Sequence, residues 1–240
     1  VGIGENIAAF LDVPYEQLWI EYVGMHHFGW VVKAVLDGKD MMPEILRQLE
    51  KVPGLPVDVE IAQAIGGIPT SYFKYYYHSN RVFEKQKAAS KVRAEELMAL
   101  QDQVMSEFTA SKSGLPDSLL QRGAHWYGAS VVPVMLAHTN NAHEVHIVNL
   151  PNGTTLDWMP AKAIIETPAL VSAHGFTALQ QAETPLDLQA MVRLNATFEI
   201  LWVEAVVEKD YSKALRAMML NHLVHDLDTA KAILKEIWKF

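Results

Sequence analysis

The chain contains 240 residues, half of them apolar, with a formal net charge of −8 and no cysteine. That apolar fraction can form a substantial core in one large domain or two small ones. The scattered lysines and arginines form no basic stripe, so a nucleic-acid partner is not expected. Without cysteine there is no disulfide framework and no thiolate ligand. The sequence shows no bilayer-spanning apolar run and no signal peptide, so we expect a cytoplasmic protein with no membrane partner.

The first third of the chain alternates predicted helices and strands. Residues 3–11 have the pattern of a short helix. Residues 19–23 alternate and are rich in β-forming residues, which predicts a strand, and residues 28–36 predict a second strand. The turn pair Asp37-Gly38 ends the second strand. Residues 40–51 and 58–65 predict two further helices, the second of which stops at Gly66-Gly67.

The remainder of the chain is predicted to be mostly helical. We expect one long helix from residue 79 or 80 to about 108 and another over 126–138 with a kink at Pro133. Strands are expected over 143–150 and 163–171, and helices from residue 186 onward, broken near Asp210 and Asp226. The sum is an α+β fold with many helices around a small antiparallel sheet. No Gly-x-Gly-x-x-Gly sequence joins a predicted strand to a helix, so a parallel dinucleotide-binding sheet is not expected.

A histidine pair, His26 and His27, follows the first strand in residues 22–30, which read YVGMHHFGW. Imidazole is a good ligand for divalent metals and is costly to bury without a partner. Since a metal site needs three or four convergent ligands, a purely structural pair at the end of a strand is the alternative.

Tyrosines are concentrated in residues 71–77, which read SYFKYYY. A phenol acts as a base near neutral pH only beside a cation, for which a metal or Lys74 would serve. Tyrosine clusters are also ordinary packing material, so a structural role is the alternative.

Two further segments carry polar candidates. Residues 121–127 (QRGAHWY) place Arg122 near a predicted helix start, where a guanidinium and helix N–H groups could bind a phosphate. Arg122 suits a surface ion pair equally well. Asn149 precedes Pro151-Asn152-Gly153 in a loop that could reach substrate, although a hairpin turn by itself accounts for Asn152-Gly153.

Together these segments resemble glycoside hydrolase family 4, the NAD- and metal-dependent glycosidases, and most closely its 6-phospho-β-glucosidase branch. Residues 24–27 are similar to the family's Gly-x-Asn-His motif, with His26 in place of asparagine. Residues 121–127 and 149–152 resemble its Arg-Gly-Gly-x-x-Tyr-Ser and Asn-x-Pro-Asn stretches. The Gly-Asp-x-His pattern of the α-branch is not found at 71–77, which favours β-linked substrates.

The resemblance also implies a fold and a domain organisation. It predicts that residues 1–240 form a single substrate- and metal-binding domain, resembling the lactate-dehydrogenase-like C-terminal domain of these glycosidases. The N-terminal nucleotide-binding (Rossmann) domain and its metal-binding cysteine would then lie outside this chain. The family further implies a homo-oligomer.

The resemblance assigns roles to five residues. It implies that His27 is a metal ligand, that Tyr72 is the base, and that His26, Arg122 and Asn149 contact substrate. Tyr75, Tyr76 and Tyr77 remain alternatives to Tyr72. The implied substrates are phosphorylated disaccharides or aryl glucosides. The implied cofactors are NAD and Mn²⁺ or another divalent metal, neither of which is expected to bind this chain tightly.

The family mechanism begins with removal of a hydride from sugar C3 by NAD⁺. The metal then acidifies the C2 proton, the tyrosine removes that proton, and the aglycone leaves by elimination. A 6-phospho-α-glucosidase or another glycosidase of the family is an alternative function. A non-catalytic sugar-binding or dimerisation module is a further alternative.

Overall fold

The computed structural model describes residues 2–55, 58–110, 114–122, 127–181, 183–224 and 226–240. It confirms the α+β prediction. The helices are α1 Gly2–Leu11, α2 Met42–Arg47, α3 Val59–Ile65, α4 Lys74–Tyr77, α5 Ser79–Ala88, α6 Arg93–Ala110, α7 Asp117–Gln121, α8 Val132–Thr139, α9 Leu186–Glu208, α10 Tyr211–Met218 and α11 Leu227–Ile237. The strands are β1 Leu18–Met25, β2 Phe28–Leu36, β3 Lys39–Asp40, β4 Ile68–Pro69, β5 Glu144–Pro151, β6 Ile164–Ser172 and β7 Gly175–Ala178.

The strands form one sheet in the order β3-β2-β1-β6-β5, with β4 added to β2 and β7 to β6. β1 pairs antiparallel with β2 over its whole length, with an irregularity between Glu21 and Tyr22. On its other side β1 pairs antiparallel with β6, so that Gly24 lies opposite Glu166. The end of the β1–β2 hairpin therefore lies next to the start of β6.

Helices cover both faces of this sheet, and the alternation of strand side chains distributes residues between two cores. Trp30 packs with Leu188 and Val192 of α9, whereas the next residue, Val31, packs with Ile7 of α1 and residues of α2 and α3. Successive residues of a strand point to opposite faces, so neighbouring apolar residues of β2 are buried in different cores.

The described residues divide into two compact units. The larger consists of residues 2–78, 145–170 and 177–240, and it contains both sheet cores and a third core in which α9, α10 and α11 pack around Ala205, Ala214 and Leu234. The smaller consists of residues 79–144 and 171–176 and is mainly helical. None of the described helices is long and apolar enough to cross a bilayer.

Side-chain caps set several helix boundaries that the sequence indicated. Asp58, Asp210 and Asp226 each accept a hydrogen bond from a backbone N–H one turn into α3, α10 and α11. Such a bond satisfies one of the N–H groups that a helix start leaves without a partner. The predicted breaks near Asp210 and Asp226 are confirmed as the starts of new helices.

The expectation of one helix from residue 79 to about 108 is wrong. The chain forms α5 and α6, separated at residues 89–92. The Glu95 carboxylate accepts the backbone N–H of Val92 at 3.2 Å, which satisfies a donor at the start of α6. This local cap replaces the hydrogen bonds that a continuous helix would make.

Pro133 modifies its helix as expected. Residues 127–131 are wound as a π-helix, and α8 begins at Val132, immediately before the proline. Because proline has no N–H to donate, the regular hydrogen-bond ladder is interrupted at this point.

The hairpin of β1 and β2 closes tightly around two glycines. Gly24 and Gly29 are paired across the strands. A Cβ added to Gly24 would overlap the Cα of Gly29, and one added to Gly29 would lie 2.6 Å from the carbonyl oxygen of Val23 and overlap the hydroxyl of buried Tyr22. Only glycine allows the two backbones and the Tyr22 ring to come this close.

We therefore expect Gly29→Ala to lower the free energy of unfolding by about 1–3 kcal/mol, because the added methyl overpacks a site with rigid backbone on one side. Gly128→Ala is the matched control, since a Cβ there meets nothing within 4 Å and the φ angle of this glycine does not lie in the left-handed region. Urea denaturation followed by circular dichroism measures both. Equal midpoints for the two variants would contradict this account of the hairpin.

Candidate functional site

His26 and His27 are the two residues of the loop that joins β1 to β2. Both have positive φ angles, 48° and 66°, as a two-residue hairpin turn of type I′ requires. Asparagine and glycine are the residues favoured in such a turn, whereas an ordinary L residue loses roughly 1–2 kcal/mol in this conformation.

The Glu166 carboxylate contacts His27 twice. The backbone N–H of His27 donates to Oε2 of Glu166 at 3.0 Å, and Nδ1 of the His27 ring lies 3.5 Å from Oε1. The Glu166 side chain is only 14 % exposed, whereas that of His27 is 63 % exposed. The carboxylate is therefore enclosed beneath the hairpin, and the imidazole faces outward.

This contact shifts the ionisation of both groups. The hydrogen bond to Glu166 raises the pKa of His27 and outweighs the opposing effect of burial. Burial by itself would raise the pKa of Glu166, but the hydrogen bonds from the side chain and backbone of His27 lower it. Each partner therefore stabilises the charged form of the other.

Tyr72 lies directly on His27. The two rings are stacked, with centroids 5.6 Å apart and planes only 11° from parallel, and Tyr72 is 55 % exposed. The segment before Tyr72 is tied to β2, because Thr70 donates its backbone N–H to the carbonyl of Gly29 at 3.1 Å and its hydroxyl to the carbonyl of His27. The structure thus brings Tyr72 and His27 together on one exposed surface.

The other three tyrosines have different surroundings. Lys74 lies over the ring of Tyr75, and Tyr76 packs edge-on against Phe28 and against the His222 ring. Burial is the main cause that raises the pKa of Tyr77 to about 12, and the neighbouring Trp30 side chain opposes this shift only in part. A phenol so resistant to ionisation is a poor base, which disfavours Tyr77 as an alternative to Tyr72.

His26 has a carboxylate of its own. Its Nε2 lies 3.1 Å from Oε2 of Glu199 on α9, and Asn195 donates to Oε1 of Glu199 at 3.1 Å. Burial raises the pKa of Glu199, although His26 and Asn195 both favour the ionised form. The hairpin loop thus carries two imidazole–carboxylate pairs side by side.

The remaining predicted residues lie elsewhere. Arg122 is an exposed residue just after α7, in the smaller unit, and residues 123–126 of its motif are outside the described part of the chain. Asn149 is an exposed residue of β5. Three residues further on, Asn152 is buried and its side chain bonds the backbone of Leu156, Met159 and Pro160, which holds the 152–160 loop.

No group of three or more His, Cys, Asp and Glu side chains suited to a metal occurs among the residues that the structure describes. The hairpin therefore offers two exposed imidazoles, His26 and His27, each with a carboxylate behind it. A carboxylate on the second nitrogen is the usual support of a metal-binding histidine.

Sequence reasoning missed Glu166 and Glu199. Both are acidic residues in otherwise apolar stretches, the strand that begins Ile164-Ile165 and the middle of α9. A charge in such a stretch is costly unless it has a partner, and this was the signal that could have found them.

Comparison with known proteins gives a consistent result. The sequence matches the family 4 glycosyl hydrolase C-terminal domain over residues 22–224. It is 22 % identical to the 6-phospho-β-glucosidase BglT of Thermotoga maritima, over 97 % of this chain and 56 % of that protein. It is 25 % identical to the phospho-α-glucosidase PagL of Clostridium acetobutylicum, over 99 % of this chain and 58 % of that protein.

Solved structures show the same fold. The structure of the Thermotoga maritima 6-phospho-β-glucosidase with manganese, NAD⁺ and glucose-6-phosphate superposes with a TM-score of 0.87 at 22 % identity, over 98 % of this chain and 57 % of that one. The chain spans somewhat more than half the length of the curated relatives it matches.

The His27–Glu166 contact predicts a specific pH dependence. In an NMR titration of the histidine rings we expect His27 to titrate above the ordinary value of 6.5, and Glu166→Gln to lower its midpoint. His222 is the internal control, because burial lowers its pKa and Glu166 plays no part in that shift. An unchanged His27 midpoint in Glu166→Gln would contradict the assignment.

The pKa shifts of His27 and Glu166 also make the stability of the fold depend on pH. A raised histidine pKa stabilises the fold below about 6.5, and this contribution is lost as pH rises through the folded value. The lowered pKa of Glu166 stabilises the fold above about 4.5, and this contribution is lost as pH falls through its folded value. The pair therefore contributes most between these two limits.

Proposed function

Because the chain belongs to family 4 of the glycosyl hydrolases as a C-terminal domain, we propose that it is the substrate- and metal-binding part of an NAD- and metal-dependent 6-phospho-β-glucosidase. We keep residues 1–240 as one functional domain in this proposal, acting in the cytoplasm as a homo-oligomer. One observation carries it, the stacking of the exposed Tyr72 ring on the imidazole of His27. This contact joins the proposed base to the proposed metal ligand.

The residues present fit a divalent metal in part. His27 supplies an exposed imidazole whose far edge is supported by Glu166, as in many metal sites. Among the described residues no third donor of the Cys, Asp, Glu or His type joins them. A stable site for Mn²⁺ requires several fixed ligands, so the proposal places the remaining ligands outside these residues.

The chain does not fit a dinucleotide, since it contains no Gly-rich strand–turn–helix sequence. NAD is proposed as a cofactor of the intact enzyme only. When bound, the metal would supply Lewis-acid polarisation of sugar oxygens and NAD would supply hydride transfer.

The steps that belong to this chain concern one proton and the positioning of the sugar. We assign Tyr72 as the base that removes the proton from sugar C2, taking it at the phenolic oxygen, after which the aglycone leaves from C1 by elimination. The stacked ring of His27 limits the rotation of the Tyr72 ring. His27 would hold the metal, which would supply positive charge to this surface of the hairpin.

His26, Arg122 and Asn149 are proposed to contact the phosphorylated sugar. His26 is already at the hairpin, and its pairing with Glu199 leaves it half exposed beside His27. The proposed substrates are phosphorylated disaccharides or aryl glucosides. A β-linkage is favoured because residues 71–77 do not carry the Gly-Asp-x-His pattern of the α-branch.

A non-catalytic dimerisation role is the second candidate. It is favoured by large apolar side chains that one face of α9 leaves exposed near its end, namely Val203, Val206 and Val207. An exposed apolar stripe on a helix is typical of a protein–protein contact. Light scattering that finds a monomer at high concentration would count against this role and against a homo-oligomer.

With one protein ligand of the proposed metal, this chain should bind Mn²⁺ weakly. We expect isothermal titration calorimetry with MnCl₂ to show no site of micromolar or tighter affinity, because a hard cation held by one imidazole and water is weakly bound. A stoichiometric micromolar site would overturn the view that ligands are supplied from elsewhere.

The catalytic assignment predicts no turnover of a chromogenic 6-phospho-β-glucoside by the 240 residues with NAD⁺ and Mn²⁺. It predicts cleavage once they are joined to the nucleotide-binding half of a relative such as the Thermotoga maritima enzyme. In that chimera Tyr72→Phe should reduce kcat by about 100-fold or more, since general-base catalysis contributes 10²–10⁴-fold.

Tyr76→Phe is the matched control in the chimera, because this neighbouring phenol packs against Phe28 and His222 and not against His27. We expect Tyr76→Phe to keep most of the activity. Turnover by the isolated chain, or equal losses for the two substitutions, would refute the assignment. A preference for the α-anomer in the chimera would refute the β-linkage alone.

A further inference from the structure

Glu166 is a carboxylate in an unfavourable place for a charge. It belongs to β6, lies opposite Gly24 of β1, and is 14 % exposed at its side chain. An enclosed carboxylate is stable only when its oxygens have hydrogen-bond donors or cationic partners. Both oxygens of Glu166 contact His27, and the buried Tyr22 side chain is a further neighbour of the carboxylate.

The two contacts restrain different parts of His27. Oε2 holds the backbone N–H at 3.0 Å, which fixes the turn, and Oε1 lies 3.5 Å from Nδ1, which fixes the edge of the ring. Tyr72 covers one face of the ring at a centroid distance of 5.6 Å. The imidazole is thus restrained at one edge and on one face, and its Nε2 edge lies opposite the carboxylate.

A carboxylate accepts hydrogen bonds and cannot donate them when ionised, so the ring nitrogen that faces it must carry the proton. In a neutral imidazole the other nitrogen then has a free lone pair, which is the form that binds metals. From this geometry we propose that Glu166 is a positioning residue, which holds neutral His27 as the Nδ1–H tautomer and presents its Nε2 as the ligand for a divalent cation. The inference rests on the proposed metal role of His27.

The neighbouring histidine, His26, contacts its carboxylate through the other ring nitrogen. Glu199 meets His26 at Nε2, at 3.1 Å, so the same reasoning places the proton of neutral His26 on Nε2. Two adjacent histidines in one turn should therefore differ in tautomer. This difference gives an internal comparison that requires no substitution.

Long-range ¹H–¹⁵N correlation spectra of the 240-residue chain, recorded at a pH high enough to deprotonate both rings, test the inference. We expect His27 mainly as Nδ1–H and His26 mainly as Nε2–H in the unsubstituted protein. Glu166→Leu should move His27 toward Nε2–H, the form that predominates in free histidine, and the matched variant Glu199→Leu should leave His27 unchanged.

The inference is overturned if His27 is mainly Nε2–H in the unsubstituted protein, a result that does not depend on how any variant folds. It is also overturned if a folded Glu166→Leu keeps the Nδ1–H form, or if Glu199→Leu shifts His27 as much. Amide spectra of each variant establish whether it is folded.

Addition of MnCl₂ tests the metal role separately, since weakly bound Mn²⁺ broadens the signals of nearby nuclei. We expect selective broadening of the His27 ring signals, with an apparent affinity about tenfold or more weaker in Glu166→Leu, as substitution of such supporting carboxylates typically causes. No broadening at His27 in the unsubstituted protein would reject the proposed metal role, while the tautomer spectra still decide the positioning role of Glu166.

Discussion

The close approach of Gly24 and Gly29 is the constraint on which the site depends. Because neither residue has a side chain between the strands, β1 and β2 can be joined by a turn of only two residues. In this turn, of type I′, His26 and His27 both have positive φ angles, which fix the directions of both side chains. The same glycine, Gly24, lies opposite Glu166 in the neighbouring strand, which brings the carboxylate up to the turn. A bulkier residue at either glycine would displace all of these groups together.

The sequence predicts the larger elements of the fold well, because these elements depend on local patterns. The run of apolar, β-forming residues at 28–36 predicts β2 with its observed ends. The aspartates at 210 and 226 mark helix starts, because aspartate is a favoured N-cap residue. What it fails to predict depends on single contacts. Strands β3 and β4 are two residues long and exist only through pairing with β2. The break between α5 and α6 depends on one side chain, Glu95, that bonds the backbone of Val92.

In the site, too, some residues lie in segments that local sequence patterns reveal, and others are placed by single long-range contacts. His27 and Tyr72 are carried by local segments, and the Thr70 bonds to the hairpin explain why two segments more than 40 residues apart meet. Glu166 is 139 residues from His27 in the sequence, and its role depends on the register of β1 against β6. Hydrophobic periodicity shows that a strand exists but not which strand lies beside it. Hydrophobic periodicity therefore could not identify Glu166 and Glu199 as the partners of the two histidines. The apolar residues around each glutamate indicated only that it needed a partner.

The two carboxylates also decide which kind of ligand the hairpin favours. When both imidazoles are neutral, the turn carries the negative charge of Glu166 and that of Glu199 in its ionised form. Each carboxylate is covered more than the imidazole it supports, with side-chain exposures of 14 % against 63 % for the His27 pair and 31 % against 48 % for the His26 pair. A cation approaching from solvent therefore meets ring nitrogens first. The carboxylates orient the imidazole rings and attract the cation by their negative charge. An anion is repelled by the same two carboxylates. The phosphate of a phosphorylated sugar would therefore have to bind to cationic side chains away from this turn. That separation fits a site in which the metal, and not the phosphate, is located at the hairpin.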